Sequence, residues 1–261
     1  IDKPIVKVIT GIRRSGKSAL LMLLKDYFIS KGSSAENIIY INFESMEYAD
    51  IDSAKSLYSY VVEHKPSNGK CYILLDEIQN VKDWERAVNS FQVDIDCDIY
   101  ITGSNSHLLS SELSTLLAGR YVEFVIETLS FKEYLSFLDS DIIDVYKEFN
   151  NYLRLGGFPV IHAHNYDADS AYKIINDIYS SVILRDTIQR HNIRNVDQLE
   201  RIMKFVLTNV GNLFSAKSIS DYFISQKRKV DINTVYNYLS ALESAYIIRR
   251  VNRYNLKGKE I

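Results

Sequence analysis

Cysteine is scarce in this sequence, and neither cysteine lies near a second metal-binding residue. Of the 261 residues only Cys71 and Cys97 are cysteines, each in an apolar or strand-like stretch without a Cys or His at metal-binding spacing. This pattern supports neither a disulfide framework nor a zinc site. We therefore expect a reduced, cytoplasmic compartment.

Long apolar runs are also missing. The longest, such as residues 19–24 and 73–75, are far too short to span a bilayer, and no signal peptide opens the sequence. The composition, 46% hydrophobic and 25% charged, is ordinary for one or two globular domains and excludes a disordered or collagen-like chain. We expect a soluble protein.

Neither sign of charge dominates, since 31 Lys and Arg stand against 33 Asp and Glu, a formal net charge of −2. The average surface therefore does not attract nucleic acid or an anionic membrane. The charge is unevenly distributed, because residues 195–261 carry 11 basic and 6 acidic side chains whereas residues 1–194 carry 20 and 27. Such asymmetry indicates either a basic interaction module or a solvated surface, which is the commoner case.

The first half of the sequence alternates short apolar runs with longer helical patterns. Five β-branched, apolar runs predict strands, at residues 5–10, 37–43, 71–76, 98–102 and 121–126. Four stretches between them have apolar residues at helical spacing, at 18–30, 52–64, 83–91 and 106–117, with Asp52 and Asp83 as candidate N-caps. Because each short run is apolar nearly throughout, we predict an α/β fold whose parallel sheet is covered by helices on both faces.

After residue 128 the pattern is helical. Helices are predicted at 129–138, 141–153, 169–190, 196–209, 216–225 and 232–244. Gly156, Gly157 and Pro159 form the clearest break and indicate an all-helical lid. A strand at 246–254 and a turn at 257–259 follow the last three helices, as is typical of a winged helix. We therefore predict a core at 1–128, a lid at 129–194 and a winged-helix domain at 195–261, truncated in its hairpin.

The first motif with a chemical meaning follows the first predicted strand. Residues 11–18 match GxxxxGK[ST] at every fixed position. Gly11 and Gly16 permit a tight loop whose backbone N–H groups, together with the positive end of the next helix, surround phosphate oxygens. We expect Lys17 to reach the β- and γ-phosphates of a nucleotide and Ser18 to ligate Mg²⁺. The alternative is a chance glycine-rich turn.

A second motif ends the third predicted strand with two carboxylates, Asp76 and Glu77. Since parallel strands bring their carboxyl ends to one sheet edge, both side chains should lie beside the phosphate loop. We expect Asp76 to hold the Mg²⁺ shell, usually through water, and Glu77 to orient and polarise the attacking water. The plainer alternative is a pair of exposed residues at the start of a loop.

The fourth predicted strand also ends in small polar residues. If it lies between the first two motifs, Thr102, Ser104 or Asn105 could hydrogen-bond the γ-phosphate or the attacking water. A role in capping the helix at residue 106 is the alternative, because Ser and Asn are preferred N-caps.

Three arginines and a serine complete the candidate site. Arg13, Arg14 and Ser15 lie within the phosphate loop, where the arginines either add charge near the nucleotide or face solvent or another subunit. Arg120 precedes the fifth predicted strand and could stabilise charge in the transition state. It could equally cap a helix with a favourable cation.

Five segments in this order resemble one family, the prokaryotic AAA-type ATPases that carry a C-terminal domain of unknown function. The segments are GIRRSGKSALL, LLDEIQNVKDWE, ITGSNSHLLSSELSTLLAGRYVEF, LSFKEYLSF and YLRLGGFPV. The resemblance spans essentially the whole chain. It implies an AAA-like ATPase core, a nucleotide sensor at residues 102–105, and Arg120 as an arginine finger that often acts on a neighbouring subunit. It also implies a continuation into a winged helix and a nuclease-like domain, the latter absent from this sequence.

Several functions are compatible with these motifs. The absence of an Asn-Lys-x-Asp guanine motif and of an LSGGQ stretch argues against a GTPase and a transporter ATPase, so ATP is the expected nucleotide. The leading hypothesis is an Mg²⁺-dependent ATPase that moves its lid and winged helix, and a homo-oligomer is a candidate assembly. A nucleotide-gated switch with little hydrolysis, acting through an unknown protein partner, and a DNA-binding regulator remain open. In the last case Asn233, Thr234 and Asn237 would face base edges, with weak, salt-sensitive affinity.

Overall fold

The computed structural model describes residues 1, 3–104, 117, 119–138, 144–163, 166–189, 191–228 and 230–251, without the side chains of residues 184–186. The chain divides into two compact units, Ile1–Ile178 and Tyr179–Ile261. The division falls before the predicted boundary at residue 194, because Ile183 belongs to the apolar core of the second unit. The division into core, lid and winged helix stays a prediction.

A five-stranded sheet forms the centre of the first unit. Its strands are β1 (Val6–Thr10), β2 (Ile38–Asn42), β3 (Cys71–Asp76), β4 (Cys97–Thr102) and β5 (Tyr121–Val125). The order is β2-β3-β4-β1-β5, and every neighbouring pair is parallel. The predicted parallel α/β sheet is therefore confirmed, and β4 lies between β1 and β3, which places three motif-bearing strand ends side by side.

The first three helices lie between strands, as the apolar spacing predicts, and the other helices of the first unit follow β5. They are α1 (Lys17–Ser30), α2 (Ala54–His64), α3 (Trp84–Asp94), α4 (Phe131–Phe137), α5 (Val145–Leu155), α6 (Pro159–His162) and α7 (Ala168–Ser181). Short 3₁₀ turns occur at Ala35–Asn37, Met46–Tyr48 and Ile78–Asn80. The helix expected at 106–117 lies outside the described residues.

Alternate strand residues enter two apolar clusters on opposite faces of the sheet. Ile73 of β3 packs in one cluster with Phe91 of α3. Leu74, the next residue, packs in the other with Leu21 and Phe28 of α1. Burial on both faces explains the nearly continuous apolar sequence of β3, and the same burial holds β1 and β4 in place.

The edge strand β5 departs from this arrangement. Val122, Phe124 and Val125 are exposed. β5 pairs with β1 on one side only, and α1 and α3 pack on β3 and β4 instead. The prediction that every strand is covered on both faces is therefore wrong for the described surroundings of β5.

The N-terminal capping of α2 and of α3 differs from the prediction. Ser53, not Asp52, caps α2, since its hydroxyl accepts from the backbone N–H of Ser56 in a capping box. Asp83 does precede α3, but its left-handed backbone (φ 55°) leaves its side chain without a cap hydrogen bond. An N-cap normally has an extended backbone, which explains the difference.

The predicted break between the helices of the first unit is confirmed. α5 ends at Leu155 and α6 begins at Pro159, with Gly156 and Gly157 between them. A Cβ atom on Gly157 would overlap the carbonyl oxygen of Leu129, whose own N–H donates to Gly157 O at 2.7 Å. This close backbone contact holds the segment after β5 against the break between α5 and α6.

The helix predicted at 169–190 is found in two parts. α7 ends at Ser181, and a π-helical segment, Val182–Gln189, continues it. A π-helical segment of this kind is rare in proteins.

The second unit contains the three further helices, α8 (Val196–Thr208), α9 (Ala216–Ser225) and α10 (Ile232–Ser244). They share one apolar core in which Leu239 and Leu242 are buried and Ile247 is partly buried. None of the helices in the described part of the chain is long and apolar enough to cross a membrane.

The strand predicted at 246–254 is wrong for its described part. Residues 246–251 form no strand, because Ile247 and Ile248 pack against the helical core instead of pairing. Residues 252–261 lie outside the described chain, so the hairpin of the winged helix stays a prediction.

Candidate nucleotide-binding site

The phosphate loop joins β1 to α1, as the motif predicts. Gly11 has φ 140° and Gly16 has φ 101°, both in the left-handed range that glycine adopts without strain. A Cβ atom on Gly11 would overlap the carbonyl oxygen of Ile126, the residue after β5. Arg14 is also left-handed, with φ 62°. The loop therefore has the tight curvature that a phosphate cradle needs.

The lysine of the motif points back over its own loop. Lys17 is buried, with 4% of its surface exposed, and its Nζ donates to Gly11 O at 3.0 Å and Ile12 O at 2.9 Å. The adjacent hydroxyl of Ser15 is buried with no hydrogen-bond partner in the described structure. Ser18, on the first turn of α1, is exposed. A buried ammonium and an unpartnered hydroxyl suit an anion inside the loop.

The first carboxylate, Asp76, is fully buried at the end of β3. It accepts hydrogen bonds from two hydroxyl groups, those of Thr102 on β4 and Tyr40 on β2, the latter at 3.3 Å. Burial and the neighbouring Asp76 carboxylate raise the pKa of Tyr40 to about 12. Tyr40 therefore stays a hydrogen-bond donor at neutral pH and holds Asp76 in place.

The second carboxylate, Glu77, has a left-handed backbone (φ 56°) and is 8% exposed. Its backbone N–H donates to Thr102 Oγ1 at 2.9 Å, and its carboxylate accepts from the amide of Gln79. A non-glycine residue in this conformation is uncommon and persists where surrounding contacts hold it. Here those contacts orient the Glu77 side chain.

Thr102 links the Asp76 carboxylate to the backbone of Glu77, whereas a contact to the γ-phosphate or the attacking water was expected for it. Its hydroxyl is buried, donates to Asp76 and accepts from Glu77 N–H. A hydroxyl group can donate only one hydrogen bond, and that of Thr102 donates it to Asp76. The Ser104 hydroxyl, two residues later, is buried and has no partner among the described residues. Asn105 and the helix it was expected to cap lie outside the described chain.

Of the three predicted arginines, Arg13 and Arg14 lie in the phosphate loop and Arg120 lies away from this edge. Arg120 O accepts from Val6 N at 2.9 Å, at the start of β1, so Arg120 lies about 17 Å, five strand residues, from the phosphate loop. Its guanidinium donates to Asn89 of α3 at 3.0 Å. Arg13 forms an ion pair of 3.6 Å with Glu44, and Arg14 is exposed.

Sequence reasoning missed three residues at this edge. Tyr40 reaches Asp76 only because β2 is the neighbour of β3, and strand order is not readable from composition. Gln79 stands two residues after Glu77, so its position was a usable signal. Pro159 of α6 has its Cγ 3.9 Å from where a Cβ on Gly16 would lie. The helical break thus lies directly beside the phosphate loop.

Two domain models match the sequence. Residues 3–135 match an "AAA domain", and residues 146–260 match a "Domain of unknown function (DUF8612)".

Curated relatives are longer than this chain. An uncharacterized protein of Haemophilus influenzae is 40% identical over 99% of this chain and 65% of its own length. The uncharacterized protein MJ1544 of Methanocaldococcus jannaschii is 30% identical over 98% of this chain and 58% of its own length. The chain therefore spans about three fifths of the length of these relatives.

Two solved structures are similar to this chain. The Aeropyrum pernix ORC1 protein, solved in complex with DNA, gives a TM-score of 0.42 at 13% identity, covering 94% of this chain and 79% of that one. AMPPCP-bound DnaA from Aquifex aeolicus gives 0.41 at 14% identity, covering 95% and 84%. The family assignment rests on the domain match, which covers more than half of the residues. The chain belongs to the AAA domain family.

Proposed function

We propose that this chain is an Mg²⁺-dependent ATPase whose nucleotide cycle moves its helical parts. One observation carries the proposal. The buried Lys17, at the start of α1, and the Asp76–Glu77 pair at the end of β3 lie at one sheet edge, and Thr102 of β4, between them, is hydrogen-bonded to the Asp76 carboxylate and to the backbone N–H of Glu77. Carboxyl strand ends of open α/β sheets are where ligands bind.

The residues at this edge fit a nucleotide and a divalent ion. Lys17, the Ser15 hydroxyl and the loop amides would hold the phosphates, and Ser18 with Asp76 would hold Mg²⁺ through oxygen atoms, the ligands this ion prefers. The unpartnered Ser15 hydroxyl supports this assignment, because buried polar groups normally have a partner. Mg²⁺ supplies neutralisation of charge on the phosphate oxygens.

Hydrolysis needs a base and a contact to the terminal phosphate. Glu77 is the base: it accepts a proton as the water oxygen bonds to the γ-phosphorus and the bond to the bridging oxygen of ADP breaks. Ser104 is our candidate for the γ-phosphate contact, since its buried hydroxyl lacks a partner. Thr102 positions Asp76 and Glu77, and Asn105 remains a candidate sensor.

Coupling to the helical lid follows from the position of α6. Pro159 lies next to Gly16 of the phosphate loop, and Gly157 is fastened to Leu129. A phosphate that moves the loop would press on α6, and this displacement would pass to the segment after β5. Packed interfaces respond to such shifts by moving between discrete arrangements.

Phosphate release tests the proposal. With ATP and Mg²⁺ the native chain should release phosphate, Glu77→Gln should bind ATP but release it at least about 100-fold more slowly, and Lys17→Ala should lose binding. Equal, slow release by the native and Glu77→Gln chains, with ATP bound, would instead favour a nucleotide-gated switch. A native chain that binds no ATP would refute both.

DNA contact through α10 is a second candidate. Asn233 and Asn237 are exposed on α10 while Val235 and Leu239 face the core. This leaves polar side chains available to base edges, as recognition helices require. Binding to duplex DNA that falls with salt and with Asn237→Ala would support it. Binding unchanged by both would contradict it.

A further inference from the structure

We propose that Gln79 holds the attacking water against Glu77 in the ATPase reaction. The inference rests on the proposed function and adds a residue that the phosphate-loop and carboxylate motifs do not include. Gln79 follows Glu77 in the 3₁₀ turn Ile78–Asn80. It donates a hydrogen bond to the Glu77 carboxylate.

The hydrogen bond fixes which way the Gln79 amide points. An ionised carboxylate only accepts hydrogen bonds, so the NH₂ group of the amide must face Glu77. The amide oxygen, Oε1, is bonded to the same carbon atom and therefore lies beside the carboxylate. The orientation of the Gln79 amide is thus inferred from the hydrogen-bonding chemistry of Glu77.

The amide oxygen is an unsatisfied acceptor. Gln79 Oε1 is buried and has no hydrogen-bond partner in the described structure, although the residue as a whole is only partly buried. Leaving such an acceptor unpaired is unfavourable. A small donor that enters beside Glu77 removes this cost, and water is the donor that hydrolysis requires.

The turn keeps the amide in this place. Ile78 is fully buried, and Asn80 N donates to Glu77 O at 3.2 Å. With the backbone on both sides of Gln79 held, its side chain has few alternatives. Rigid support of this kind is what accurate positioning of a reactant needs.

Two acceptors side by side orient one water molecule. One O–H of the water points to Glu77 and the other to Gln79 Oε1, which leaves an oxygen lone pair for the γ-phosphorus. As the oxygen–phosphorus bond forms and the bond to ADP breaks, Glu77 takes the proton. Gln79 changes no bond; it contributes orientation.

The first test replaces the amide with an apolar side chain of similar length. In Gln79→Met the turnover number for phosphate release should fall about ten- to a hundred-fold, with the dissociation constant for ATP unchanged. Gln92→Met is the matched control, because Gln92 on α3 also has a buried amide oxygen without a partner. Its turnover should stay within about twofold of the native chain.

The second test uses pH. In Gln79→Glu two carboxylates face each other, and one must hold a proton to act as donor. Its turnover, relative to the native chain, should therefore rise as the pH is lowered from 8 to 6. Fluorescence of the buried Trp84 confirms that each variant is folded.

The outcomes separate the inference from the proposed function. Native turnover in Gln79→Met, faster turnover, or a relative pH profile of Gln79→Glu that is flat would overturn the role of Gln79 alone. A native chain that binds ATP but releases no phosphate would overturn the proposed function and this inference together.

Discussion

At the scale of single residues, the candidate site depends on the hydroxyl group of Thr102. It is bonded to Asp76 and to the backbone of Glu77, both buried. Thr102→Val keeps the volume but leaves a carboxylate oxygen and an N–H without partners. We expect the free energy of unfolding to fall by about 2–4 kcal/mol and phosphate release to slow, measured by urea denaturation and steady-state assay. Thr102→Ser should behave as the native chain; equal losses in both variants would contradict this role.

The burial of the two thiols predicts that the protein loses stability at alkaline pH. Burial raises the pKa of Cys71 to about 11 and of Cys97 to about 12, from the 9.0 of an exposed thiol. The folded state therefore keeps these protons longer than the unfolded state. Their contribution to stability is complete below pH 9 and is lost as the pH rises from 9 to 12.

Urea denaturation at pH 8, 9.5 and 10.5 measures this loss. The free energy of unfolding should fall more steeply with pH in the native chain than in Cys71→Ala/Cys97→Ala. Tyr40 titrates late in both proteins and does not affect the comparison. Parallel pH curves would show that the thiols are not protected by burial.

Residues with a fixed spacing were predictable, whereas their partners were not. Gly11, Lys17 and Asp76 follow from motif spacing and from the rule that parallel strands end at one edge. Tyr40 depends on β2 lying beside β3, and the direction of the Gln79 amide depends on a local turn. Both are properties of three-dimensional neighbours that no spacing in one sequence records.

At the scale of elements, the residue after β5 lies very close to the phosphate loop. Gly11→Ala would place a Cβ atom on Ile126 O in a left-handed backbone. We expect about 2–4 kcal/mol of destabilisation and lost ATP binding.

Gly32 is the control, because it is also left-handed (φ 95°) but has open space around it. Gly32→Ala should cost about 1 kcal/mol and leave ATP binding intact. Similar costs would mean that the contact with Ile126 is unimportant.

Most elements were predictable because apolar spacing is set by the faces that are buried. α8, α9 and α10 match their predicted ranges closely. The described part, residues 246–251, of the strand expected at 246–254 was an error of the same rule, since Ile247 and Ile248 pack against the helical core. A short apolar run does not distinguish these cases.

At the scale of the whole molecule, the position of Arg120 bears on oligomerisation. The residue lies at the opposite sheet edge from the phosphate loop of its own chain. An arginine finger at this position must act on a neighbouring copy. Arg120→Ala should reduce turnover about 10³-fold or more.

Mixing variants tests whether Arg120 acts between copies. Arg120→Ala and Lys17→Ala, each inactive alone, should regain part of the native phosphate release when combined, because an intact Lys17 then meets an intact Arg120. No recovery at any ratio, in a mixture shown to assemble, would assign Arg120 to its contact with Asn89 of α3.

The larger organisation was the least predictable from sequence. Ile1–Ile178 form one compact unit, and the segment around Ile183, inside the predicted lid, belongs to the second. Charge counts and helix spacing describe each segment separately, while unit boundaries depend on which segments share a core. The longer relatives add polypeptide that this sequence does not contain.

Calorimetric titration with ATP and Mg²⁺ tests the central claim, that a triphosphate lies in the loop at residues 11–18. The native chain and Lys31→Ala, which loses an exposed lysine at the far end of α1, should bind one ATP with equal affinity. Lys17→Ala should bind at least about tenfold more weakly, the effect of losing a charged hydrogen bond. Equal affinity of Lys17→Ala and the native chain would contradict the account.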